Sequence, residues 1–216
     1  MAGETVRAQN VRATRELIMS TAERLYAERG VYAVSNRQIS EAAGQGNTAV
    51  VGYHFGTRAD LVRAIAHKHT EQIEQVSARL LAEIGDSTDL RDWVSCLVRP
   101  LPEYLEALGS PTWYARFCAQ VMVDPVLHEV VVDETITPPV QWQVLEGVHR
   151  CLPDLPPEVR AERTAMTRQA CLYMCAEREY ALAEGGVTPR STWNAAAIGL
   201  VDAIVGLWQA PVTRGS

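Results

Sequence analysis

From one end of this chain to the other, apolar residues recur at the three-to-four-residue spacing of a helix. Nowhere do they hold the strict alternation of a half-buried strand. That pattern confines the fold to packed helices. Ile18, Ala22, Leu25 and Tyr26 share one face of an expected helix over about 11–29, which Gly30 stops. Leu61, Ile65, Ile73, Val76 and Leu80 form the stripe of a long helix that ends before Gly85. Prolines divide the chain beyond Gly85. A helix over about 87–108 must kink or break at Pro100 and Pro102. Others are expected over 111–123, over 125–134 and from Pro138-Pro139 to Cys151. Two long helices, about 157–184 and 190–209, close the chain around Gly185-Gly186. The expected fold class is all-α.

Charge is distributed unevenly along these helices. The net charge is −6, yet residues 1–69 carry +3 and residues 70–216 carry −9. A basic first third joined to an acidic remainder suits a protein that meets phosphates at one end only. The longest nearly uncharged apolar stretch, Ala195 to Trp208, contains Asp202 and is shorter than the roughly 20 residues that a membrane span requires. The N-terminal residues lack the apolar core of a signal peptide, so a cytoplasmic protein without a membrane partner is expected. Cys96, Cys118, Cys151, Cys171 and Cys175 are then reduced thiols, mostly buried as small hydrophobes.

Within the basic third, Ser35-Asn36-Arg37-Gln38 reads as a capping box opening a short helix with Ile39, Ala42 and Ala43, closed by Gly44. A tight turn, Gly44-Gln45-Gly46, leads to Asn47, the expected N-cap of a second short helix through His54. Thr57-Arg58-Ala59-Asp60 repeats the capping logic at the start of the long helix. Two short helices joined by a glycine-containing turn make a helix-turn-helix, or simply two packed helices.

The residue pattern of this segment is more specific than its spacing. The matching residues are Thr14-Arg15-Glu16, then Ala22 with Leu25 to Gly30, then Ser35 to Gly44, then Tyr53-His54-Phe55-Gly56-Thr57-Arg58-Ala59-Asp60-Leu61-Val62. Over about 14–66 the chain resembles the DNA-binding domain of the tetracycline-repressor (TetR) family. The resemblance implies an N-terminal three-helix DNA-binding domain, residues 1–56, and a C-terminal helical ligand-binding and dimerisation domain, residues 57–216. It implies DNA contacts from Ser35, Asn36, Arg37, Asn47, Thr48, Ala49, Val50, Tyr53, His54 and Arg58. Their chemistry is suitable: Arg37 can reach a guanine edge or a phosphate, and Ser35 and Asn36 add short polar groups at a helix start. Asn47 and Thr48 can hydrogen-bond to bases, while Ala49 and Val50 can touch thymine methyls. Tyr53, His54 and Arg58 match backbone-contacting positions. Val51 and Phe55 are assigned to the core.

Two departures from the family pattern stand out. The turn leading into the second helix is one residue longer, and Gly52 stands where an aromatic residue is common. The second helix carries no Arg or Lys, so affinity is expected to lean on Arg37 and on Arg7, Arg12 and Arg15 near the N-terminus, as an arm along phosphates or a minor groove.

In the acidic remainder, Ala195, Gly199 and Ala203 recur every fourth residue of a helix that is apolar nearly all round, and so is buried on more than one side. The resemblance makes the last two helices a four-helix homodimer interface; an internal core is the other reading. Trp93, Trp113, Tyr114, Phe117, Met122 and Trp142, with Tyr173, are the expected lining of a cavity for a largely apolar effector. Each can equally be a core residue.

Enzymatic signals are weak. Cys171 and Cys175 are spaced to share a soft metal, but no third or fourth ligand is evident. His67 and His69 point to different helix faces, and no nucleophile elbow, phosphate loop or acid–base cluster is found. The expectation is a ligand-responsive regulator, most simply a repressor of a palindromic double-stranded DNA operator, with no cofactor and no enzymatic activity. The competing reading is an all-α small-molecule-binding protein or enzyme with a vestigial DNA-binding head.

Overall fold

A computed structural model describes residues 6–136 and 139–213, and every regular element among them is a helix. There are eleven: α1 Val6–Arg29, α2 Asn36–Ala42, α3 Val50–Phe55, α4 Arg58–Ile84, α5 Leu90–Val98, α6 Pro100–Leu108, α7 Tyr114–Met122, α8 Leu127–Ile136, α9 Pro139–Arg150, α10 Pro157–Ala183 and α11 Trp193–Gln209. The fold is all-α with two domains, a small head of α1–α3 and a larger body.

Local chemistry sets most boundaries. Ser35 Oγ accepts from the Gln38 N–H at 3.3 Å while Gln38 Oε1 accepts from the Ser35 N–H at 2.8 Å, which closes the box at the start of α2. Thr57 and Asp60 do the same for α4, at 3.1 Å in both directions. Pro100 occupies the first position of α6, where its missing N–H costs nothing, so the expected 87–108 helix becomes two. The first helix starts at Val6 rather than near residue 11, and α3 starts at Val50 rather than just after Asn47. The second shift has a visible cause. Asn47 Oδ1 accepts from the Ala49 N–H at 2.9 Å, holding residues 47–49 in a turn ahead of the helix.

The head does not have a core of its own. Ile18, Leu25, Tyr26, Ile39, Val51, Phe55, Leu61 and Ile65 join Leu105, Phe117 and Val121 in one continuous hydrophobic cluster. The centre of the junction is α7, which packs against α1 on one side and α10 on the other. A second cluster, around Trp93, Val94, Val201, Ile204 and Trp208, holds α5, α9 and α11 together. There α9 approaches α5 so closely that only glycine fits at position 147: a Cβ would lie 2.0 Å from the Trp93 ring.

Several buried charges fasten the far end of the body. Arg163 donates to the carbonyls of Trp208 and Ala210, at 2.6 and 2.5 Å, and so places a cation at the C-terminal end of α11. Arg178 reaches the carbonyls of Arg190 and Ser191, fixing the loop before α11. Glu179 of α10 accepts from the Arg116 N–H at 2.9 Å and supplies the N-terminal cap that α7 lacks in its own sequence.

Candidate nucleic-acid interface and ligand cavity

The head presents one polar face. Ser40, fully buried, lies 2.9 Å from the Asn36 carbonyl and 3.3 Å from the Thr48 carbonyl, so a single hydroxyl joins α2 to the turn leading into α3. Gly44 sits at φ +65°, a left-handed backbone that makes this turn possible. Val51 and Phe55 anchor the inner side of α3. The outer side then exposes Asn47, Thr48, Ala49, Gly52 and Tyr53, with Tyr53 83% exposed, and Val50 half-buried beside them. Arg37 stands in the open at the start of α2 and pairs with Glu41 at 2.8 Å, which holds its guanidinium above the ordinary range. Ser35 and Asn36 lie next to it, at the N-terminus of the same helix.

Two arginines brace this face from behind. Arg15 stacks over the Phe55 ring at 4.3 Å and donates to the His54 carbonyl, which ties α1 to the end of α3. Arg58 turns back to the Val34 carbonyl at 3.2 Å and lies over the Tyr32 ring. The first bond holds one head element on another, and the second ties the head to the start of α4.

Behind the head, a buried polar chain crosses into the body. His69 of α4 places Nε2 2.8 Å from Glu23 Oε2 of α1 and Nδ1 2.8 Å from the Tyr104 hydroxyl of α6. Its ring stacks on Tyr114 of α7 at 4.0 Å. Burial pushes the Tyr104 phenol up to about 12 and that of Tyr114 well above its ordinary value, so both remain protonated donors.

Tyr114 also lines a cavity of about 170 Å³ walled by residues of α4–α10. Ile73, Leu97, Leu101, Val131, Leu145 and Leu172 give it an apolar wall, interrupted by Ser77, Gln141, Thr164, Thr167 and Arg168. The two cysteine thiols that line it, Cys118 and Cys171, are pushed up by burial, that of Cys171 to about 12, and are not thiolates near neutral pH.

Sequence comparison decides the family. Residues 95–206 match the model for the tetracyclin repressor-like C-terminal domain, and residues 18–65 match that for bacterial regulatory proteins of the tetR family. The chain belongs to the TetR family. It is a DNA-binding transcription regulator of the helix-turn-helix type. No curated protein matches its sequence. Among solved structures it resembles a protein assigned to the tetR family of transcription regulators from Shewanella sp. PV-4. That pair shows 16% identity and a TM-score of 0.59, over 90% of this chain and 95% of that one. The multidrug binding protein EbrR, solved with imidazole, gives 22% identity and a TM-score of 0.52 over 93% and 98%. An assigned TetR-family regulator from Rhodococcus sp. gives 16% and 0.52 over 91% and 98%. At these identities the likeness establishes the fold alone.

The structure of this TetR-family chain sorts the site residues expected from sequence. Ser35, Asn36, Arg37, Asn47, Thr48, Ala49, Val50 and Tyr53 come together on the outer face of the head. His54 is half-buried with its carbonyl taken by Arg15, and Arg58 is drawn inward to Val34. Arg7, Arg12 and Arg15 belong to α1 and do not form an arm.

The aromatic cluster is dispersed. Of the seven residues expected around the ligand, Tyr114 and Met122 line the cavity. Trp93 is buried in the second cluster with its N–H on the Ser87 carbonyl at 2.8 Å, and Phe117 is buried at the head–body junction. Trp113 packs at the edge of that junction, while Trp142 and Tyr173 face solvent, 56% and 41% exposed. Aromatics at helical spacing fill cores first, and Trp93 and Phe117 do so here. The polar lining residues Ser77, Gln141, Thr164 and Arg168 escaped the sequence reading. One signal was present: Thr164, Arg168, Cys171 and Cys175 share a single face of α10, where an arginine among buried residues is out of place.

Proposed function

We propose that this regulator is a homodimeric repressor of a palindromic operator, released when a small, largely apolar effector enters the α4–α10 cavity. In this reading residues 1–56 bind DNA and residues 57–216 sense the effector and dimerise. The carrying observation is the stack that joins cavity to head: Tyr114 lines the cavity, lies on His69, and His69 holds Glu23 of α1. An occupant that displaces Tyr114 therefore biases the seat of α1, and with it the head.

Dimerisation is supported by apolar residues that the folded chain leaves in solvent. Met166, Tyr173 and Tyr180 recur every seventh residue along α10, and Ile198 stands exposed on α11 near Ala203 and Gly206. An outward apolar stripe on two adjoining helices suits a partner pair. A palindrome then meets two heads roughly 34 Å apart.

The test is fluorescence polarisation with labelled DNA from upstream of the protein's own gene, titrated with salt and unlabelled competitor. Specific binding that survives competitor and falls steeply with salt is expected. Equal affinity for every sequence would remove the operator reading. Any effector that releases DNA must itself bind the DNA complex correspondingly more weakly.

A further inference from the structure

We infer that the cavity takes an organic monoanion, a carboxylic acid whose apolar body is about the size of one aromatic ring or a short alkyl chain, with its carboxylate on Arg168. This rests on the reading of the cavity as the effector site and adds the effector's chemical class.

The cavity wall carries a lone cation. Arg168 is the single charged residue lining the cavity among the described residues; no aspartate, glutamate or histidine shares the wall. Among the described residues its guanidinium has no carboxylate partner, and its one hydrogen bond, at 3.7 Å, is to the Met122 thioether. A sulfur is a weak acceptor, and a guanidinium carries five N–H donors, so its donor capacity is left largely unused. Burial lowers its affinity for the proton, a sign that the charge is held at a cost, yet an arginine stays protonated in a protein.

Other arginines buried or half-buried in the body have oxygen acceptors beside them, although the Nε atoms of Arg116 and Arg178 are without a hydrogen-bond partner among the described residues. Arg163 is on two carbonyls, Arg178 on two carbonyls and a hydroxyl, and Arg116 lies 3.9 Å from Glu179. Arg168 alone among these faces a cavity without an acceptor of comparable strength. Gln141, whose side chain makes no hydrogen bond among the described residues, supplies a second donor on the wall. The remaining hydroxyls are partly engaged: Ser77 donates to Ile73, Thr164 donates to Arg160, and Thr167 accepts from Trp208.

Size is set by the cavity. A dry engineered cavity of about 150 Å³ admits benzene, and this one is about 170 Å³ with walls of leucine, isoleucine, valine and methionine. A planar carboxylate suits the guanidinium fork, which can meet it through two parallel bonds. A neutral molecule of the same shape would fill the apolar part and leave the arginine as it is.

The experiment uses the full-length dimer. A panel of benzoate, phenylacetate, hexanoate and octanoate, each beside its primary amide, is measured by calorimetry and thermal shift against wild type, Arg168→Met and Arg168→Lys. Wild type is expected to bind at least one acid tenfold or more tighter than its amide. Arg168→Met is expected to erase that preference and Arg168→Lys to restore part of it. Without ligand, Arg168→Met should unfold no earlier than wild type, because only a weak contact to the Met122 thioether is lost. Amides that bind wild type as well as their acids would overturn the anionic class while leaving the cavity as a ligand site. Acid binding that persists in Arg168→Met would overturn the assigned residue. If neither acids nor amides bind, the proposal fails, and a Leu145→Trp variant, which fills the cavity, tests the underlying reading. Operator release by cell extract that survives this filling would remove the effector-site reading as well.

Discussion

Arg37 on the head and Arg168 in the body are both arginines near an acceptor, but water separates their situations. Arg37 lies in solvent with Glu41 at 2.8 Å, a pair that the high dielectric makes easy to exchange for a phosphate or a guanine. Arg168 is half-buried and lies against a thioether in a largely apolar wall. Two glycines repeat the contrast. A methyl group added at Gly52 on the head would meet nothing within 4 Å, whereas one added at Gly147 in the body would lie 2.0 Å from the Trp93 ring. The outer face of the head is built to be approached, and its groups are free to change partners. Around its cavity the body is closely packed, and most polar groups inside it, such as those of Arg163 and His69, are committed to fixed partners.

The largest expected effect is at the junction between these regions. His69→Ala removes the donor facing Glu23, a residue only 7% exposed, and leaves a buried carboxylate without its partner. Removing one member of a buried pair typically costs about 3–5 kcal/mol, so urea unfolding should show a loss of that order. A loss below about 1 kcal/mol would mean that water reaches this junction, and the contrast between exposed head and dry interior would break there.

Gly147→Ala comes next. The Trp93 ring cannot swing away freely, because its N–H is held on the Ser87 carbonyl and Arg150 lies over its face at 5.2 Å. Overpacking of this kind costs about 1–3 kcal/mol, and the midpoint of denaturant unfolding should fall accordingly. An unchanged midpoint would show that α9 can slide on α5.

Arg37→Ala should leave stability almost untouched and act on binding. Operator affinity should drop on the order of 10- to 100-fold, with specificity relaxed at the base pair it reads. Glu41→Ala sharpens the point: it frees the guanidinium and should not weaken binding. If Arg37→Ala binds all operator variants as wild type does, the α2 N-terminus lies away from the groove.

The same division governs what the sequence discloses. Ser35 with Gln38 and Thr57 with Asp60 are legible because each cap is made by residues three apart, and no distant part of the chain is needed. Pro100 and Gly44 are legible for the same local reason. The cavity is not, since its wall draws residues from seven helices, α4 to α10, and no spacing rule links Ser77 to Gln141 or Arg168. Trp93, Phe117 and Trp142 mislead because a large aromatic side chain signals burial or interface without saying which. Arg15 misleads differently: its basic charge suggests a DNA arm, but its place on α1 sets it against Phe55 and the His54 carbonyl.

The smallest effect belongs to Gly52, and it has the opposite sign to that at Gly147. Within α3 the residue has ordinary helical backbone and open space around it, so Gly52→Ala removes an entropic cost of helix formation without a clash. A gain of up to about 1 kcal/mol in unfolding free energy is expected, the usual difference between the two residues in a helix. The binding assay then decides why glycine is there. Gly52 lies beside Ala49 and Tyr53 on the exposed side of a six-residue helix, so a methyl group projects toward whatever docks on it. Tighter operator binding in step with the gain in helix stability would show that α3 is limited by its own order. Weaker binding in a more stable protein would show that DNA approaches the backbone at Gly52 too closely for a Cβ, and the open space on the head would then be reserved for DNA.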